Sequence, residues 1–335
     1  MTNKQLTLDD SVLSKGKSKT KTQSDFTFID LFAGIGGTRL GFESVGGECV
    51  FTSEWDVHAQ KTYFANFEET PYGDITKLID TDIIPDFDVL LAGFPCQPFS
   101  SIGKRKGFMH ITQGTLFYDV ARIIEAKRPK GFLLENVQGL VTHDQGRTFS
   151  TILEVLTELD YAVKYKIMNA ADFGVPQMRK RIYIVGIDKR LKGIDPSQFS
   201  FPKGSENNHV NIGKYLESGI EGYSISERLQ KSYLYKLPDG RPKVIDKTSK
   251  GPAKTLVASY HKIQRLTGTF VKDGPTGLRL YTENECKALM GFPKHFKVPV
   301  SRTQMYRQFG NSVVIPVISA IASEMKPFIV TGERS

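Results

Sequence analysis

The segment Gly93-Phe94-Pro95-Cys96-Gln97-Pro98-Phe99-Ser100 holds a thiol framed by two prolines. Proline fixes its own φ and restricts the unfolded chain, which suits a group that must be held in one attack geometry. A cysteine becomes a strong nucleophile when nearby positive charge lowers its pKa. The common fate of a lone cysteine is structural burial, but the prolines and the position directly after the apolar run 87–92 (FDVLLA) tilt Cys96 toward chemistry. Glu135, in Glu135-Asn136-Val137, caps a second apolar run (GFLL), where burial would raise its pKa and let it act as an acid. Arg179 and Arg181, in Gln177-Met178-Arg179-Lys180-Arg181, lead into a third (IYIVGI). Two apart in extended chain, they are expected to point the same way, toward an anionic or carbonyl oxygen. Singly, Glu135 reads as a salt-bridged strand end and the arginines as a solvated charge run. A cysteine, a carboxylate and arginines at successive strand ends are harder to dismiss.

A second group of residues suits a small ligand. Gly34, Gly36 and Gly37 follow Asp30-Leu-Phe-Ala where a strand turns into a helix, and glycines there let backbone approach a ligand closely. Eighteen residues past Gly36 lies Glu54, at the end of the next expected strand, where a carboxylate can accept hydrogen bonds from both hydroxyls of a ribose. Any nucleoside cofactor satisfies that pair. The glycine spacing is not the GxGxxG of dinucleotide sites, which weakens a nicotinamide reading. Asp74 is a further candidate, at a loop position suited to an adenine amino group, though a bland loop role is at least as common for such a residue.

These residues must be positioned by regular elements. Strands are expected at 26–32, 49–53, 87–92, 131–134 and 181–187, and helices begin or run at 38–44, 115–127 and 148–159. Strand and helix alternating at this pitch predict a doubly wound α/β domain with a mainly parallel sheet and ligands at the carboxyl ends of its strands. After residue 187 the texture changes. Residues 191–277 are rich in Gly, Pro, Ser, Asn and Lys, with β-prone pieces at 255–260 and 267–271, and are expected to form a smaller, irregular β-rich second domain. Helical patterns resume at 282–290 and 313–325, the latter interrupted near its start by Pro316. The expected division is a basic arm over 1–25, a catalytic and cofactor-binding domain over 26–190, the second domain over 191–277, and a segment over 278–335 that returns to the first.

Composition bounds the rest. With 39% apolar residues the chain can bury a core, which excludes a largely disordered chain or a disulfide-dependent mini-protein. Three scattered cysteines exclude a zinc cluster or disulfide framework, and no metal is expected. No apolar run approaches the roughly 20 residues of a membrane span, and the N-terminus lacks a signal-peptide core, so a soluble cytoplasmic protein with no membrane partner is expected. The formal charge is +9, and it is unevenly placed. Residues 188–310 carry 22 Lys and Arg against 11 Asp and Glu, a net of +11, which leaves the remainder at −2. Such asymmetry suggests a polyanion-facing region on a nearly neutral body, with a solvated basic surface as the alternative.

Taken in order, DLFAGIGG, GFPCQPFS, ENV, QMRKR and Gly310-Asn311-Ser312-Val313 resemble the motifs of the DNA (cytosine-5) methyltransferase family, in particular its bacterial restriction-modification members. The likeness runs from about Phe26 to Met325. It implies a Rossmann-like domain that holds S-adenosyl-L-methionine against Phe32, Glu54, Trp55, Asp74, Ile75, Pro95, Leu116, Asn311 and Val313. It also implies Cys96 as the nucleophile on cytosine C6, Glu135 at N3 and Arg181 at the O2 side, acting on a base flipped from duplex DNA. Residues 100–114, with Ser100, Lys104 and Arg105, resemble the family's mobile loop that closes over DNA. Residues 191–277 take the place of its target recognition domain, with Thr255 in the typical Thr-Leu pair. His261, Lys262, Gln264 and Arg265 follow that pair with donors for base edges in the major groove, contact with phosphate being about as common for any one of them. A partner restriction endonuclease is implied, and an RNA cytosine-5 enzyme is the alternative within the same chemistry. A nucleotide-dependent oxidoreductase lacks its fingerprint here, and a purely DNA-binding protein would leave Cys96 and Glu135 unexplained.

Overall fold

In the computed structural model, which describes residues 24–78, 80–95 and 116–334, the apolar runs of the first half become one six-stranded sheet. Its strands are β1 (Phe26–Leu31), β2 (Gly47–Ser53), β3 (Val89–Ala92), β4 (Gly131–Val137), β5 (Tyr161–Asn169) and β6 (Lys180–Asp188), in the spatial order β2-β1-β3-β4-β6-β5. β1 to β4 pair in parallel, β6 is antiparallel to both its neighbours, and β5 therefore runs with the first four. The sheet is mainly parallel, as expected, with one reversed strand.

Both faces are covered. Successive residues of β1, β3, β4 and β6 fall into two separate apolar clusters, as the period of two requires. Phe28, Val89, Leu91, Leu133 and Val185 face one side, with Phe42 of α1 (Gly37–Glu43), Ala59 of α2 (Val57–Phe67), Leu229 of α5 (Glu227–Leu229) and the apolar residues of α6 (Glu283–Met290), α7 (Arg302–Asn311) and α8 (Ile315–Thr331). Ile29, Leu90, Phe132, Leu134 and Ile184 face the other, with α3 (Leu116–Lys127) and α4 (Arg147–Glu158). The amphipathic stripes of α3 and α4 account for that side: Val120, Ile123 and Ile124 share a face, as do Ile152, Val155 and Leu156.

Several expectations are corrected. The sequence reading missed β5, because its central residues Tyr165, Lys166 and Ile167 are exposed on an edge strand and carry no continuous apolar run. β4 continues through Glu135 to Val137, so Glu135 lies inside the strand opposite Tyr183. Pro316 does not interrupt the last helix; it stands in the first turn of α8, where the missing N–H has no intrahelical partner to lose. The expected β-rich region has, among the described residues of 191–277, only two three-residue strands, β7 (Lys243–Ile245) and β8 (Thr269–Val271), and 255–260 is not a strand. Its buried residues Ile212, Leu234, Ile245 and Phe270 belong to the same contiguous cluster as those of α6, α7 and α8. The expected absence of any membrane-length apolar segment is also too strict, since Arg302–Thr331 is long and apolar enough by length and composition alone. The backbone leaves the helix between Asn311 and Ile315, and Ile318, Ile321, Ala322 and Met325 are buried in the core.

Candidate active site

The carboxyl ends of β1, β2, β3 and β4 open on a cavity of about 700 Å³, within the range that binds small ligands. After β1 the backbone turns sharply: Phe32 adopts φ 56° and Gly34 φ 55°, both left-handed. A bulky residue at positive φ is uncommon and collects at functional sites. Nothing lies within 4 Å of where a Cβ on Gly34 would stand, so the glycine leaves open space toward the cavity as well as allowing the turn. Gly36, expected on the wall, is not among the lining residues; it is the N-cap of α1, and a Cβ there would meet the Phe67 ring at 2.3 Å.

Glu54 is buried just past the end of β2, and each oxygen already takes a backbone N–H: Gly34 donates to Oε2 and Asp56 to Oε1, both at 2.8 Å. Burial raises its pKa, while these hydrogen bonds oppose the shift. A carboxylate offers about four acceptor sites, so two remain for a ligand. Beside it Trp55 is 75% exposed although it lines the cavity. Asp74 caps a short turn, accepting from the Thr76 N–H and hydroxyl, and those bonds hold its pKa down. Phe32, Ile75, Pro95, Leu116, Asn311 and Val313 also line the cavity. The sequence reading missed Gln304 and Arg307 of α7 on the same wall; their only signal was the helical spacing that carries Asn311.

Glu135, Arg179 and Arg181 meet at the other end of the cavity. The reversal of β6 brings them together: its start, rather than its end, lies beside the end of β4, with Val137 opposite Arg181. Arg181 Nε stands 3.1 Å from Glu135 Oε1. Burial raises the Glu135 pKa, and Arg181 and then Arg179 pull against that shift. The two arginines do not share one partner as expected. Arg179 is 2% exposed and turns its guanidinium to backbone, donating to the carbonyls of Leu256 (3.1 Å), Gly310 (3.1 Å) and Ser312 (2.7 Å).

Pro95, the last described residue before Cys96, lines the cavity; Cys96 itself, with Ser100, Lys104 and Arg105, lies outside the described residues, as do residues 1–23. The other two thiols are unsuited to nucleophilic work. Burial pushes both Cys49 and Cys286 far above the ordinary thiol range, and Cys286, in α6, is fully buried. A further buried acid, Asp30, has both carboxylate oxygens without a hydrogen-bond partner, and burial pushes its pKa to about 8.

The expected base-reading residues divide. Lys262 and Gln264 are exposed and His261 is half-buried. Thr255 turns its hydroxyl to the Met178 carbonyl at 2.6 Å. Arg265 is 5% exposed, and four of its five guanidinium N–H groups are taken up by Asp239 and by the carbonyls of Leu234 and Leu237, which turns it away from a base-reading role. Its task is to brace the 234–239 loop.

The family model for C-5 cytosine-specific DNA methylase matches residues 26–327. The chain is 61% identical over 307 residues to the Type II methyltransferase M.BsuFI of Bacillus subtilis, which covers 92% of this chain and 74% of that one. It is 56% identical over 308 residues to the Type II methyltransferase M.MspI of Moraxella sp, covering 92% and 72%. In fold it resembles the solved structure of Spodoptera frugiperda DNMT2, with a TM-score of 0.72 at 22% identity over 89% of this chain and 99% of that one. The chain belongs to the C-5 cytosine-specific DNA methylase family. It is a DNA (cytosine-5) methyltransferase built on a Rossmann-like α/β sheet.

Proposed function

We propose that this methyltransferase uses S-adenosyl-L-methionine to methylate C5 of a cytosine flipped out of duplex DNA, within a short palindromic sequence, protecting host DNA in the cytoplasm from a cognate restriction endonuclease. The observation that carries the reading is one cavity lined at one end by a ribose-suited carboxylate, Glu54, and at the other by the Glu135–Arg181 pair, with Pro95 leading into Cys96. The residues at the first end fit the cofactor. Glu54 has acceptor sites to spare, the exposed Trp55 ring offers a face for an adenine, and the turn at Gly34 leaves room for the ligand. When bound there, S-adenosyl-L-methionine supplies an electrophilic methyl group.

The chain's own residues supply activation of the base. Cytosine C5 is a poor nucleophile until the ring is made electron-rich. The Cys96 thiolate adds to C6 while Glu135, whose pKa burial raises, passes a proton to N3 and Arg181 holds O2, so the C5–C6 double bond opens to an enamine whose nucleophilic carbon is C5. Once C5 is methylated, loss of its proton to a water-derived base and elimination of the thiolate restore the aromatic ring. With Cys49 and Cys286 held protonated by burial, Cys96 is the remaining thiol of the sequence. Residues 191–277 serve as the target recognition domain, with His261, Lys262 and Gln264 presented to DNA and Thr255 holding their segment in place.

Activity on RNA is not favoured. The matched family is described as a cytosine-specific DNA methylase, and the likeness to DNMT2 extends to the fold alone. The test is to incubate the protein with S-adenosyl-L-methionine and unmethylated plasmid and map 5-methylcytosine by bisulfite sequencing. Methylation at one short motif, abolished by Cys96→Ser, is expected. Unmodified plasmid with the wild-type protein, or full activity in the variant, sinks the mechanism.

A further inference from the structure

Both backbone polar groups of one residue, Leu256, are held by side chains from a distant segment. Its N–H donates to Gln177 Oε1 at 2.6 Å, and its carbonyl accepts from Arg179 Nη1 at 3.1 Å. Between those two side chains, the Met178 N–H donates to the Ala253 carbonyl at 2.8 Å, and the Met178 carbonyl accepts from the Thr255 hydroxyl. The entry to β6 and residues 253–256 are thereby laced together on backbone atoms, by contacts indifferent to most side chains of the held segment. Gln177 is fully buried and anchors its other end by donating Nε2 to the Leu289 carbonyl at 2.8 Å.

Arg179 carries the connection further. Its Nη2 reaches the carbonyls of Gly310 and Ser312, on either side of Asn311, which lines the cavity. The same two segments touch directly: a Cβ on Gly310 would lie 2.2 Å from the Ala258 nitrogen, so glycine is required for residues 257–258 to pack there. One guanidinium therefore touches the segment that leads into His261, Lys262 and Gln264 and also the loop that edges the cofactor end of the cavity. Displacing Leu256 would strand a buried amide and a buried cation, a costly outcome that keeps the two segments in register.

We infer that Gln177 and Arg179 are positioning residues that lock the backbone of the DNA-reading segment to the Gly310–Ser312 loop, so that DNA binding and cofactor binding strengthen each other through Arg179. This rests on the reading of 191–277 as DNA-facing and of the cavity as the cofactor's. Coupling of this kind is reciprocal, and typical values are about 5- to 150-fold.

The test measures the Kd of S-adenosyl-L-methionine for the full chain with and without a duplex oligonucleotide carrying the mapped site. In the wild-type protein the duplex is expected to tighten the cofactor at least about fivefold. Arg179→Lys keeps the charge but cannot span three carbonyls, and should bring the ratio of the two constants close to one. Gln177→Met, similar in size without either hydrogen bond, should reduce the ratio in the same direction, whereas Arg181→Lys should lower kcat and leave the ratio intact. A ratio unchanged in Arg179→Lys, or absent in the wild type, overturns the inference. Should both clamp variants fail to fold, hydrogen exchange on the wild type decides: S-adenosylhomocysteine alone should slow exchange across 253–258, and unaltered exchange overturns the inference. Failure of the underlying reading is distinct, since it would appear as a wild-type protein that neither binds the cofactor nor methylates plasmid.

Discussion

The strand-end region and the basic region after residue 188 use charged side chains in opposite ways. Around the cavity Glu135 and Arg181 are partly open, paired with each other, and face a space large enough for a ligand. In the later region the most conspicuous cations are struts. Arg265 closes on Asp239 and two carbonyls, and Arg279, fully buried, binds Asp273 and Glu285 together. Net charge predicts a field and says nothing of which cations supply it. Exposed lysines and arginines supply it here, while Arg265 and Arg279, whose planar forks satisfy several acceptors at once, are drawn into the interior.

This contrast can be tested in order of expected effect. Glu135→Gln should lower kcat on the order of 10²- to 10³-fold. Because burial raises the Glu135 pKa, its protonated form is lost as pH rises through that value, so the wild type should show a falling alkaline limb in single-turnover rates that the variant lacks. An identical limb in the variant would assign it to another group. Lys262→Ala should weaken duplex binding several-fold in fluorescence titrations and shallow the salt slope by about one, with cofactor affinity unaffected; a loss of cofactor binding instead would undo the division of labour between the regions. Arg265→Ala should show itself in stability, lowering Tm by about 3–6 °C because the 234–239 loop loses its brace. If its main effect is a relaxed target sequence at unchanged Tm, Arg265 reads bases after all.

The smallest effect concerns Asp30, buried with no hydrogen bond and a pKa near 8. A carboxyl raised on folding contributes stability that is fully present below its unfolded pKa of about 3.8 and is lost as pH rises through about 8. Asp30→Asn should therefore match the wild-type Tm near pH 4 and exceed it by a few degrees at pH 8 and above. Equal melting curves at both pH values would show that Arg39 compensates the buried charge.

The cavity wall was largely legible before the fold was known. Phe32, Gly34 and Glu54 follow apolar strands, Glu135 lies near the end of one and Arg181 at the start of another, and an α/β sheet collects such strand ends at one edge. Gly36 escaped correct placement because a glycine required by packing on Phe67 looks the same in sequence as one required by a ligand. β5 escaped because an edge strand half in water has no unbroken apolar run.

The sequence by itself determined the candidates for chemistry, since the identity and order of Cys96, Glu135 and Arg181 are local facts, as are the apolar runs beside them. The tertiary structure alone decided which look-alike groups are available for that chemistry. Arg179 and Arg181 are two residues apart, yet one ends on three carbonyls and the other on a carboxylate, because their partners come from residues 256, 310, 312 and 135. The reversed direction of β6 likewise placed the start of one strand beside the end of another, a pairing that no local pattern encodes because it is set by contacts distant in sequence.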